Sequence, residues 1–244
     1  MRNSIPFWCL FFMLFTGCTQ SKLITVYTIG DSTMANKKAE VYPETGWGQV
    51  FLEFFDSKIK VSNQAVNGRS TKSFVAEGRW KVVYDSLRRG DYVFIQFGHN
   101  DEKINNPAVY TDPASTFRDN LKKFILETRS KGGIPVLLTP IVRRKFDASG
   151  ALTDTHGKYP GAVREVAALL NVKIIDMQQI THTYITSLGD EPSKKKYLWT
   201  GPDAKFPDGR KDDTHLSEEG ARAFAGLAAG QLKKLRTPLA LHVK

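Results

Sequence analysis

Four short blocks carry side chains that can do chemistry together: Gly30-Asp31-Ser32, Asn67-Gly68-Arg69-Ser70, Gly98-His99-Asn100-Asp101 and Asp212-Asp213-Thr214-His215. A serine hydroxyl is a weak nucleophile and needs a base to take its proton as it attacks a carbonyl. His215 is the best candidate among the five histidines. The Asp212 carboxylate lies three residues earlier, within reach in a turn, where it can fix the ring tautomer and stabilise the imidazolium. Asp213 would point elsewhere in most turns. A tetrahedral intermediate carries a negative oxygen and needs donors fixed in advance. The Ser32 backbone N–H, the backbone at Gly68, where no side chain blocks close approach, and the Asn100 amide can supply them. Gly-Asp-Ser and Asn-Gly alone are also common turns. It is the order of the four blocks, each at its own element boundary, that points to acyl transfer. His99 reads as a structural neighbour of Asn100, and His156 as a loop residue able to line the pocket. His182 reads as a packed helical residue, and His242 belongs to the tail. No histidine pair has ligand spacing on a helix, so no metal is expected.

The elements that must position these blocks are legible as well. Five short apolar segments read as strands: Thr25–Ile29, Ile59–Gln64, Tyr92–Phe97, Pro135–Leu138 and Val172–Ile175. Apolar residues on both faces are the pattern of parallel strands covered on both sides. Helical periodicity fills the gaps over Trp47–Phe55, Trp80–Leu87, Ala114–Ser130, Lys158–Leu170, Met177–Leu188 and Ser217–Leu235, with Ser217 as an N-cap. Alternating strands and helices predict a three-layer α/β/α sandwich on a five-stranded parallel sheet. Ligand sites of such sheets lie outside the carboxyl ends of the strands. Three of the blocks follow strand ends, and the fourth can fold back to the same rim. The stretch Gly189 to Thr214 has no periodicity and reads as a long folded loop beside the site, held by Tyr197, Trp199 and Phe206.

The N-terminus reads as an export signal. Arg2 precedes an apolar run from Ile5 to Phe15, too short for the roughly 20 residues that span a bilayer. Small residues before Cys18 resemble a bacterial lipobox, in which the cysteine becomes the lipidated mature N-terminus. The expected organisation is a signal peptide over 1–17, a lipidated N-terminus and linker over 18–22, and one domain over 23–244. Removal of the leader leaves 227 residues, and Cys9 goes with it. With Cys18 acylated, no disulfide can form, so stability must come from a core. The net charge of +10 favours acidic partners. An exported protein seldom meets nucleic acid, so an acidic polysaccharide or a membrane surface is the better fit.

At these residues the chain resembles the SGNH (GDSL-type) hydrolases, whose naming residues match Ser32, Gly68, Asn100 and His215. The resemblance implies a flavodoxin-like fold, a catalytic triad of Ser32, Asp212 and His215, and an oxyanion hole of Ser32, Gly68 and Asn100. Thr33 stands where the general pattern often has leucine. A narrower likeness runs through NGRSTKSFVAEGRW (67–80), GDYVFIQFGHND (90–101), TPIVRRKFD (139–147), DTHGKYP (154–160) and DDTHLSEEGA (212–221). These look like the rhamnogalacturonan acetylesterase branch, which implies removal of acetyl groups from pectin without a cofactor. Rhamnogalacturonan carries a galacturonate carboxylate in each repeat. Arg69, Arg79, Arg143, Arg144 and Arg210 lie in or near the site blocks, and arginine binds carboxylates in a bidentate fork. Arg69, Arg79, Arg143, His156 and Trp199 are therefore candidate substrate contacts, although Arg79 and Arg143 can equally hold loops through ion pairs. Trp199 and Tyr197 could stack on sugars, whereas Trp47 reads as core. A monomer is expected, with membrane contact only through the lipid anchor, on the periplasmic side. Two alternatives stay open: an SGNH lipase or thioesterase acting on other acyl groups, and a catalytically silent carbohydrate-binding protein.

Overall fold

The computed structural model describes residues 23–244, so the expected leader over 1–17 and the expected lipidated N-terminus and linker over 18–22, Cys18 included, lie outside the described residues. Strands β1 (Ile24–Gly30), β2 (Ile59–Asn63), β3 (Tyr92–Gln96), β4 (Ile134–Leu138) and β5 (Lys173–Ile175) form one sheet in the order β2-β1-β3-β4-β5. Every pairing is parallel. Successive side chains on a strand point to opposite faces. Tyr92 and Phe94 of β3 accordingly enter one core, and Val93 and Ile95 the other. That division explains the unbroken apolar runs of β3 and β4, which have no solvent face.

Helices α1 (Trp47–Val50), α6 (Met177–Leu188) and α8 (Glu218–Lys234) cover the first face, contributing Trp47, Ile185 and Phe224. Helices α2 (Thr71–Ala76), α3 (Arg79–Ser86), α4 (Thr116–Ser130) and α5 (Tyr159–Leu169) cover the second with Phe74, Trp80, Phe124 and Val163. Ser217 caps α8 by accepting from the Gly220 N–H at 3.1 Å. Because β2 and β3 flank β1, the chain leaves β1 in one direction and later returns on its other side. This opens a crevice at the carboxyl end of β1. Gly30 ends that strand, where a Cβ would lie 2.6 Å from the Gln96 carbonyl oxygen.

Three segments differ from the sequence-based expectation. Helix α1 lasts one turn and tightens into a 3-10 turn over Phe51–Phe54, although its aromatics pack as expected. Helix α2 was not foreseen: its start is set by a capping box between Ser70 and Ser73 in a stretch with little apolar period. The expected long loop contains α7 (Asp190–Ser193) and an antiparallel pair, β6 (Tyr197–Thr200) with β7 (Arg210–Leu216). The charged run RKDD hides β7, because its first residues face water rather than a core.

Candidate active site

Ser32 sits in the turn that follows β1. Asp31 is fully buried beneath it, and its Oδ1 accepts from the Thr33 N–H at 3.0 Å and the Thr33 hydroxyl at 2.8 Å. The Asp31 carbonyl accepts from the N–H groups of Met34 and Ala35. One side chain and its own backbone thus tie the turn on both sides of Ser32. His99, also buried, puts Nδ1 3.3 Å from Asp31 Oδ2. Burial opposes the Asp31 charge, but the contacts with His99 and Thr33 outweigh it and hold the carboxyl below its ordinary range. Sequence reasoning named Asp31 and Thr33 but gave neither a part in holding the serine turn. The signal available was the acid directly before the serine.

His215 and Asp212 come from β7, and a β-bulge brings them together. Leu198 pairs with Asp212, yet the next residue back, Tyr197, pairs with Leu216. Asp213, Thr214 and His215 therefore bulge out of the ladder, in place of the expected turn. The bulge is held from two sides. The Arg144 N–H donates to the Asp213 carbonyl at 2.8 Å. Asp213 Oδ1 accepts from Arg144 Nη1 and from Trp199 Nε1, each at 2.7 Å. Asp213 does point elsewhere, as the spacing suggested, and it is the anchor. Asp212 Oδ1 accepts the N–H groups of Thr214 and His215 at 2.7 and 3.0 Å. Its Oδ2 lies 2.7 Å from His215 Nδ1, and His215 Nε2 lies 2.9 Å from Ser32 Oγ. Because Asp212 Oδ2 accepts from Nδ1–H, the Nε2 lone pair is left facing the serine hydroxyl. Partial burial works against the Asp212 charge, but the His215 ring and the two N–H groups hold its carboxyl well below the usual carboxylate range.

Gly68 and Asn100 occupy the neighbouring strand ends. Gly68 has φ +76°, and a Cβ there would meet nothing within 4 Å. The left-handed backbone favours glycine here, and no protein atom crowds the position, so the space a side chain would fill stays open to an approaching group. The Asn100 amide is pinned at both ends. Its Nδ2 donates to the Arg69 carbonyl at 3.0 Å, and its Oδ1 accepts from Lys103 Nζ at 2.7 Å. These contacts fix the amide orientation and leave one N–H of the NH₂ group free. Among the described residues, the N–H groups of Ser32 and Gly68 donate to no carbonyl. Asp101 stabilises the block from inside, accepting from Thr71 N at 3.0 Å and Thr111 Oγ1 at 2.7 Å. Burial outweighs those bonds and pushes its carboxyl up to about 7.

The model of the GDSL-like lipase/acylhydrolase family matches residues 28–223, a span that contains every residue of this constellation. The chain belongs to that family. The GDSL-like protein is a carboxylic ester hydrolase. It is 40% identical over 224 residues to the rhamnogalacturonan acetylesterase RhgT of Bacillus subtilis (strain 168), covering 91% of this chain and 95% of the relative. It is 26% identical over 247 residues to an uncharacterized lipoprotein, YqeF, of the same organism, covering 91% of this chain and 96% of the relative. The crystal structure of the Bacillus subtilis protein YxiM superposes with a TM-score of 0.77 at 25% identity, covering 89% of this chain and 58% of that one.

The basic and aromatic candidates in this GDSL-like hydrolase are mostly committed to protein partners. Arg69 and Arg79 share Glu77, at 3.0 and 2.5 Å. Arg143 pairs with Glu102 and donates to Thr155 Oγ1 at 3.1 Å. His156 is buried, with ring nitrogens 2.9 Å from Glu102 Oε2 and 2.8 Å from the Ile141 carbonyl. Arg144, 5% exposed, lies against the Trp199 ring at 5.0 Å and pairs with Asp190 and Asp213. Trp199 carries Lys194 Nζ at 4.4 Å from its ring centroid. Arg210 donates to the carbonyls of Val41 and Tyr42. Trp47 is core, its Nε1 donating to Gln96 at 2.8 Å. His182 lies against the Leu152 carbonyl and His242 against Asp56, neither in contact with the constellation.

Proposed function

We propose that the protein removes acetyl groups from plant cell-wall polysaccharide, with rhamnogalacturonan as the preferred polymer, through an acetyl-enzyme intermediate. Ser32 attacks the acetyl carbonyl while His215 Nε2 takes its proton. Asp212 holds the ring tautomer and stabilises the imidazolium. The N–H groups of Ser32 and Gly68 and the free N–H of Asn100 receive the oxyanion. His215 then protonates the departing sugar oxygen. Water, activated by the same ring, releases acetate and restores the serine. The observation that carries this reading is the continuous chain Ser32 Oγ–His215–Asp212, with contacts of 2.9 and 2.7 Å. The likeness to RhgT supports the acetyl and polymer assignments. We propose further that the enzyme is exported and lipid-anchored, a reading supported by the signal-like N-terminal run, the lipobox-like residues before Cys18 and the likeness to a lipoprotein.

Acetate release across acetylated rhamnogalacturonan, homogalacturonan and xylan tests the assignment. The expected ranking has rhamnogalacturonan first by kcat/KM. Faster release from xylan, or cleavage only of long-chain esters, would contradict it. Asn100→Ala is expected to lower kcat about 10²–10³-fold, the usual cost of one oxyanion donor. The melting temperature is expected to fall only modestly, because Asn100 bonds to one carbonyl and one exposed lysine. An unchanged kcat would remove Asn100 from the oxyanion hole.

A further inference from the structure

Beside Asn100 the surface opens into a groove of about 610 Å³, within the usual range of ligand sites. Glu102, Lys103, Ile104, Tyr110 and Lys158 are among the residues that line it. Lys103 joins the groove to the reaction centre, since its ammonium donates to Asn100 Oδ1 at 2.7 Å.

The groove has a rigid wall and an unbalanced charge. Glu102, the acid that lines it, is consumed by Arg143 and by His156 at 2.9 Å. Those contacts, with the bond from Arg143 to Thr155, tie the 154–158 loop to the Gly98–Asp101 block. Arg143 and His156, candidate substrate contacts from the sequence, thus build the wall. Lys103 and Lys158 pair with no carboxylate among the described residues. Ile104, 69% exposed, and Tyr110 add apolar surface to the same lining. Two cations in a partly apolar groove suit a chain of sugar rings that carries carboxylates. A neutral chain would leave the cations without partners.

We propose that this groove receives the uronate segment of the polysaccharide next to the acetylated residue, with Lys158 and Lys103 facing carboxylates and Tyr110 under a sugar ring. The inference rests on the reading of the protein as an acetylesterase for an acidic polymer, and its test does not need turnover. In a Ser32→Ala background, oligogalacturonate and a neutral xylo-oligosaccharide of equal length are titrated by calorimetry. Oligogalacturonate is expected to bind at least about 10-fold more tightly at low salt, and salt should erode the difference. Lys158→Glu should weaken oligogalacturonate binding about 5- to 10-fold and leave the xylo-oligosaccharide unchanged. An exposed screened contact is usually worth less than this, but charge reversal replaces attraction by repulsion. The new acid sits at the N-terminus of α5, where the helix dipole favours it, so the fold should tolerate it. Lys60→Glu, on exposed β2 surface, is the control for net charge. Tyr110→Ala should weaken both ligands.

Equal binding of the two oligosaccharides, or equal effects of Lys158→Glu and Lys60→Glu, would overturn the groove assignment. A Lys158-dependent preference for oligogalacturonate upholds the groove even if acetate release later favours a neutral polymer. That last result would count against the proposed function alone.

Discussion

Ser32→Ala is expected to lower kcat on acetylated substrates by roughly 10⁴- to 10⁶-fold while leaving the fold intact. The size follows from how such sites work. The nucleophile and its base act as a unit, so removing the nucleophile forfeits nearly the whole covalent route and leaves only oxyanion stabilisation and binding. The fold should survive because the Ser32 hydroxyl has one partner, His215, and the turn around it is held by other atoms. Asp31 grips Thr33, and its carbonyl accepts from Met34 and Ala35, all independently of the serine side chain. Single-turnover acetate release and thermal denaturation check the two halves of this expectation. Undiminished release would move the nucleophile elsewhere. A collapsed melting temperature would mean that the loss of activity reports unfolding.

Asp212→Asn is expected to cost about 10⁴-fold in kcat. The carboxylate accepts from His215 Nδ1 and from two backbone N–H groups. An amide can satisfy the backbone donors with its oxygen, but it then offers an NH₂ group to the ring. The ring must answer by accepting at Nδ1, which puts its proton on Nε2, facing Ser32. The base is then blocked, although every heavy atom can stay where it was. The anchor of the bulge, Asp213 against Arg144 and Trp199, is untouched by this change. Near-normal binding of a substrate analogue together with the lost turnover would separate tautomer control from a displaced β7. A loss below about 10-fold would mean that the ring orientation is set by something other than Asp212.

Much of this site was legible in the sequence because its determinants are local. Ser32 and Asn100 each follow a strand with a clear apolar run, Gly68 follows a turn signal after the shorter β2, and Asp212 and His215 lie three residues apart. The two-sided burial of β3 and β4 made the layer order readable for the same reason. What escaped depends on distant partners. Arg143 and His156 were found near the site, but their partner Glu102 is 41 and 54 residues away in the chain, so wall and contact looked alike. The bulge that presents His215 needs Arg144, 69 residues from Asp213. Strand β7 escaped because a short surface ladder with a charged edge has no burial pattern to betray it. Lys103 and Lys158 gave no signal at all, since an unpaired lysine is recognised only when its neighbours in space are known.

In the proposed reaction Ser32 carries the acyl group, activated by His215. The most direct test is a fluorophosphonate label followed by peptide mapping of the intact enzyme, the Ser32→Ala protein and the His215→Ala protein. One label per chain is expected on the peptide containing Ser32, none after Ser32→Ala, and labelling slowed by orders of magnitude after His215→Ala. A label on another residue, or an unlabelled enzyme that still releases acetate, would contradict it.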